Sequence, residues 1–363
     1  MSAIDTLLDR RLIVCLGPGG VGKTSVAAAL GVAAAVRGRR TAVIPVDPAQ
    51  RLKDSLGLDR LSTQPSPVSL SRGNGHLDAL AIDTKRTFDA LIARVAPSAE
   101  IAERIFANRL YQELSNGLGG STEYMAMEKL HELLHQQPYE LVVVDTPPST
   151  HARDLLNAPL RLLDLLASSA VRILKTPASI LSGSESGFAR MTLRGLLKAL
   201  QRWTGLDVLS DVSDFASNFE HLVEGFHARA EDVQRALRQP ETSFVLVTTP
   251  EADTIAATIE LHADVVQEGF PVAGIIVNRA YDFPPLTPGA DRRYPEPLAR
   301  KLLANYEDFA ALGSRDARSL ARLRRQLRTP LLATLPVLEE APASIGSLRH
   351  FAGLLTGTVG SRQ

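Results

Sequence analysis

The chain has 363 residues, 45% of them hydrophobic, which is enough for a substantial core in one or two domains and too much for a disordered polymer. Its 40 basic and 40 acidic side chains cancel, which argues against nucleic acid or another polyanion held by bulk charge. One cysteine, Cys15, leaves no internal disulfide and no cysteine-rich zinc site. Residues Met1 to Arg11 lack an apolar signal core, and no run approaches the roughly eighteen apolar residues of a membrane span; the expectation is a soluble cytoplasmic protein.

Leu12 to Leu16 is a short apolar run of strand type, and Ser25 to Val36 is an Ala-rich stretch of helical type. Between them lies Gly17-Pro18-Gly19-Gly20-Val21-Gly22-Lys23-Thr24, which fits G-x-x-x-x-G-K-[ST]. Strand, glycine loop and helix N-terminus together make a phosphate cradle. The glycines let backbone N–H groups converge, and the helix dipole adds partial positive charge at the same place. Lys23 would neutralise the β- and γ-phosphates of a nucleoside triphosphate, and the Thr24 hydroxyl would ligate Mg²⁺.

Thr41 to Val46 is a second strand, ending at Asp47, which either reaches Mg²⁺ or caps the following helix. Asp54 follows where it could orient an attacking water. Gln64 to Gly75, rich in Ser, Pro and Gly, reads as an exposed loop before a strand at Leu77 to Ile82. Helices are expected over Thr84 to Val95, Ala99 to Glu113 and Ser121 to Gln136, with Met125 and Met127 as core filler. Leu141 to Asp145 is the clearest strand, and Asp145 matches a Walker B carboxylate that holds Mg²⁺. The prolines of Thr146 to His151 make the next segment a loop over the phosphates. From Ala152 to about Gln239 the pattern is helical.

Three further strands are expected at Phe244 to Val247, Val272 to Val277 and Leu331 to Leu335, with Asn278 and Arg279 at a strand end that faces the ligand. Arg315 to Arg328, with six arginines, reads as a helix with a solvated basic face. The fold class is therefore α/β: a doubly wound, mostly parallel sheet of P-loop NTPase type with an inserted α-helical subdomain. The expected nucleotide-binding domain comprises residues 1–85, 136–155 and 240–363, and the helical subdomain comprises 86–135 and 156–239.

In order, GPGGVGKT, DPAQRLKDSLGL, VVVDTPPSTH, IIVNR and LPVLEEAP resemble the ArsA/Get family of P-loop ATPases, which includes the arsenical-pump ATPase and the targeting factor for tail-anchored membrane proteins. The resemblance implies an ATP- and Mg²⁺-dependent, nucleotide-switched dimer of the deviant-Walker class, related to MinD and the nitrogenase iron protein. It implies a phosphate loop of Gly19, Gly20, Val21, Gly22, Lys23, Thr24 and Ser25, and a water-activating Asp54. Metal would be held by Thr24, Asp47 of switch I and Asp145 of switch II. Asn278, with Arg279 beside it, would read adenine, and the stretch from Pro336, Val337 and Leu338 to Glu340 would line it. A hydrophobic or membrane-protein client is also implied.

Three departures stand out. Pro18 occupies the position of the family's signature lysine, which reaches the partner's phosphates, so three outcomes are open: another cation substitutes, hydrolysis is slow, or a lysine-bearing paralogue completes a heterodimer in place of a homodimer. Cys15 alone cannot supply the soft thiolate set arsenite prefers, which argues against arsenite transport. The Cys-x-x-Cys pair of the targeting factor's zinc is absent, so no zinc is expected.

Overall fold

The computed structural model describes residues 2–46, 50–70, 75–108, 111–112, 122–147, 222, 225–281 and 295–359. Asp47, His151 and most of the long helical stretch after Ala152 lie outside the described residues.

The chain divides into two compact units. The first comprises Met1–Ile82, Leu133–Leu155 and Arg235–Gln363 and carries an eight-stranded sheet. Its strands are β1 (Leu12–Leu16), β2 (Arg40–Pro45), β3 (Ser66–Pro67), β4 (His76–Ala79), β5 (Leu141–Asp145), β6 (Thr242–Thr248), β7 (Val272–Ala280) and β8 (Leu331–Pro336). Their spatial order is β3-β4-β2-β5-β1-β6-β7-β8. Every pairing is parallel except β3 with β4. The two-residue β3 corrects the expectation of a bare loop across Gln64 to Gly75. Its antiparallel register, Ser66 opposite Ala79 and Pro67 opposite Asp78, depends on a neighbouring strand that local composition does not reveal. Pro67 is tolerated there because the strand is at the sheet edge.

All five residues of β1, and all five of β5, are buried, as expected of central strands in a sheet covered on both faces. Helix α2 (Lys23–Val36) follows the glycine loop and packs on β2, β4 and β5. Its Val26 to Ala35 segment is buried throughout, which explains the alanine content: small side chains let the helix lie close to the sheet and accept α10 (Ile345–Thr356) on its other side. Gly31 belongs to the same close approach, since a Cβ there would meet the Val43 Cγ2 methyl at 2.4 Å.

The other helices of this unit include α1 (Ala3–Leu8), α3 (Gln50–Leu56), α8 (Ala252–Gln267) and α9 (Glu296–Gln326). Helix α9 starts well before the basic segment expected at Arg315, and its 31 residues are mostly exposed. Buried Asp316 on α9 accepts from the Tyr281 backbone N–H at 3.0 Å, which ties the helix to the end of β7.

The second unit, Asp83–Glu132 with Leu156–Gln234, is helical among the described residues. Its helices α4 (Thr84–Val95) and α5 (Ala99–Ala107) start at Asp83 and Ser98, whose side chains cap the first turn. Helices α6 (Thr122–His135) and α7 (225–237) belong to it as far as Glu132 and Gln234. Phe88 stacks on Tyr111 and packs against Phe226, and Met125 and Met127 are buried with them as core. Burial pushes the Glu128 carboxyl above its ordinary range, while Arg229 and Arg94 draw it back. Arg229 Nε donates to Glu128 at 2.7 Å, so the buried charge is paired. Among the described residues, no helix is long and apolar enough to cross a membrane.

Candidate nucleotide site

The sheet's winding reverses around β1, and in an open α/β sheet the crevice for a ligand lies at the carboxyl ends of the strands flanking such a point. The glycine loop occupies that position, between the end of β1 and the start of α2. Gly22 is the N-cap of α2 at φ 89° and ψ 29°, a left-handed conformation that glycine adopts without a Cβ penalty. Lys23 begins the helix, is only 6% exposed, and its Nζ donates to the carbonyls of Gly17 at 2.9 Å and Pro18 at 2.8 Å. The ammonium therefore lies along the inside of the loop, where phosphate oxygens would compete for it.

The end of β7 braces the loop from the side. Asn278 Nδ2 donates to the Val21 carbonyl at 2.9 Å, and Arg279 Nη1 donates to the Gly20 carbonyl at 3.2 Å. The backbone N–H of Arg279 in turn donates to Asn278 Oδ1 at 3.0 Å.

A cleft of about 550 Å³ opens over the loop. Gly20, Gly22, Lys23, Thr24 and Ser25 line it, and Asp54, Asp145 and Arg279 stand in its other walls. An adjoining cavity of about 230 Å³ is lined by Asn278, Arg279, Pro336, Val337 and Leu338. The two share Gly22, Ser25, Arg279, Ala341 and Pro342, so one ligand with an anionic chain and a flat base could extend through both. Asp145 ends β5 and is 3% exposed, whereas the Asp54 side chain on α3 is half exposed, with Lys53 Nζ 3.5 Å away.

Most of the expected site residues thus meet at one edge of the sheet. Val21 is an exception in role: it is buried beneath the loop, and its carbonyl rather than its side chain is used. Gly19 lies exposed in the loop and does not line either cavity. Several lining residues lie outside the expected set, Pro45, Leu52, Thr146, Ala341 and Pro342 among them. Ser55 lines the larger cleft beside Asp54, Ala343 extends the wall beyond Glu340, and Phe351 of α10 closes the smaller cavity. Only the fold brings α10 there.

The Thr24 hydroxyl and the Asp145 and Asp54 carboxylates are hard oxygen donors of the kind Mg²⁺ takes. Among the described residues no cluster of His, Cys, Asp and Glu could enclose a metal by itself. Cys15 offers no soft alternative. Burial, and then the Asp145 charge, push its thiol far above the ordinary range, so it stays protonated. The Thr146 hydroxyl donates to the Cys15 carbonyl at 2.7 Å, pinning the start of the loop after β5 to β1.

A family model described as an anion-transporting ATPase matches residues 10–285. An uncharacterized protein of Streptomyces coelicolor is 33% identical over 200 residues, which cover 53% of this chain and 48% of that protein. ATPase GET3B of Arabidopsis thaliana is 28% identical over 288 residues, covering 74% of this chain and 64% of that protein. ATPase ASNA1 homolog 1 of Paramecium tetraurelia is 31% identical over 143 residues, 39% of this chain and 42% of its own length. The matches thus span between about two fifths and two thirds of these relatives' own length. With the matched segment running from the strand before the glycine loop to the end of β7, the chain belongs to the ArsA family of anion-transporting ATPases.

Proposed function

We propose that the chain binds ATP with Mg²⁺ and hydrolyses it as a nucleotide-switched dimer. The observation that carries this reading is the meeting of Lys23, Thr24, Asp54 and Asp145 around one cleft that continues into a cavity edged by Asn278 and Pro336 to Leu338. Lys23 exchanges its two loop carbonyls for β- and γ-phosphate oxygens, a replacement that keeps its donors occupied. Asn278 and the 336–338 wall orient the base, and the loop N–H groups at the start of α2 hold the phosphate chain. Thr24 and Asp145, with Asp47 from the sequence after β2, would hold Mg²⁺, which would supply charge neutralisation at the phosphates. Asp54, half exposed at the cleft wall, accepts a hydrogen bond from the attacking water and aligns it. The helical subdomain, residues 86–135 and 156–239, is the moving part that carries a client; most of 156–239 lies outside the described residues.

Pro18 favours a second reading, in which the chain alone is a slow hydrolase or one half of a heterodimer with a lysine-bearing paralogue. The Pro18 ring has no charge, and its carbonyl is already engaged by Lys23. ATP turnover measured over a range of chain concentrations, with Asp54→Asn as the blank, separates the two. Specific activity rising with concentration supports a self-sufficient homodimer. Tight ATP binding with turnover at the blank level supports the half-site. No ATP binding at all overturns both.

A further inference from the structure

Arg279 stands out in the described site. It has a left-handed backbone, φ 57°, and among the described residues it is the only non-glycine with positive φ. Such a conformation persists in a side-chain-bearing residue only where the surroundings over-determine it. Here they do. Asn278 Oδ1 accepts from the Arg279 N–H, Asp316 accepts from the Tyr281 N–H at 3.0 Å, and the Val337 N–H donates to the Ala280 carbonyl at 3.2 Å. Side-chain and backbone bonds on both sides of one residue therefore hold its turn, and the turn delivers an exposed guanidinium over the glycine loop.

The position matters because of charge. Among the described residues lining the two cavities, three carboxylates, Asp54, Asp145 and Glu340, face two cations, Lys23 and Arg279. Lys23 lies inside the loop, while Arg279 is the cation that borders both cavities. Its recorded contact with the Gly20 carbonyl engages one N–H of a guanidinium that carries five, arranged as a fork suited to phosphate oxygens.

We propose that Arg279 is a phosphate ligand, a cation supplied from the same chain: its guanidinium N–H groups release the Gly20 carbonyl and donate to the nucleotide's phosphate oxygens where the cleft meets the base cavity. The proposal rests on the nucleotide-binding reading above and gives this residue a charge-reading role rather than a base-reading one.

Titration calorimetry on the full chain with three probes tests it: ATP, tripolyphosphate (phosphates without a base) and adenosine (a base without phosphates). Arg279→Gln keeps a side-chain N–H for Gly20 but removes the charge. It is expected to weaken tripolyphosphate and ATP by about tenfold, the scale of one charge-assisted hydrogen bond, and to leave adenosine unchanged. Arg279→Lys should recover part of the loss. Equal weakening of tripolyphosphate and adenosine, with a lowered melting temperature, would make Arg279 a brace on the loop and overturn the proposal. So would weakening of adenosine alone, which would make it a base contact. If the wild-type chain binds ATP and Arg279→Gln binds all three probes as the wild type does, only the role of Arg279 fails. If the wild-type chain does not bind ATP, the nucleotide reading itself fails.

Discussion

Gly22→Ala is the most informative single change, because two separate penalties meet at one atom. The residue sits at φ 89°, where a Cβ costs about 1–2 kcal/mol. The added methyl would also lie 2.3 Å from Asn278 Nδ2, a distance no real contact shows. The Asn278 amide must rotate away and give up its 2.9 Å bond to the Val21 carbonyl, and leaving such a buried pair unmade costs about 1–3 kcal/mol. The total of about 2–5 kcal/mol is a large part of a domain's net stability, typically about 5–15 kcal/mol. A double-mutant cycle measures the two parts separately. Gly22→Ala, Asn278→Ala and the double variant would be compared by chemical denaturation and by ATP affinity. In the Asn278→Ala background the clash is gone, so the cost of Gly22→Ala should fall to the conformational part, about 1–2 kcal/mol. An identical cost in both backgrounds would refute the idea that Asn278 and the loop are mechanically linked.

Other outcomes follow from the same geometry. Lys23→Ala should weaken ATP binding by about 10- to 100-fold, since it removes a charged donor from the cleft proposed to hold the phosphates; unchanged affinity in calorimetry would overturn the site assignment. Asp54→Asn should keep ATP affinity within about twofold and stability within about 0.5 kcal/mol, as expected of an exposed side chain, while abolishing phosphate release. Retained turnover would move the water-orienting role elsewhere. Glu128→Ala would leave Arg229 without its buried carboxylate and should destabilise the helical unit by about 3–5 kcal/mol; a loss below about 1 kcal/mol would show the pair to be solvated. Cys15, the single cysteine, should not react with a thiol-specific reagent in the native chain and should react fully once unfolded. Native reactivity would mean that β1 opens locally.

Much of the site could be read from local pattern because its chemistry is local. A glycine loop between a buried strand and a helix N-terminus needs only contiguous residues, so Gly17 to Thr24 was legible, and an apolar run ending in a carboxylate likewise marked Asp145. The strands of the central sheet were legible for the same reason: buried on both faces, they read as unbroken apolar runs. The edge strand Ser66–Pro67 carried no such signal, since two residues have no periodicity and their pairing partner is supplied by β4.

What sequence alone determined, then, was the α/β class and the glycine loop between strand and helix that reads as a phosphate cradle, both written in short-range spacing. The tertiary structure decided how distant segments complete the cradle. Asn278 and Arg279 lie more than two hundred and fifty residues from the loop carbonyls they hold, and Phe351 arrives on a helix whose own pattern records only that one face is apolar. The left-handed turn at Arg279 is likewise invisible in its residue type, because arginine has no preference for it. It exists because Asn278, Asp316 and β8 together fix the chain on both sides, and such long-range constraints are set only when the sheet assembles.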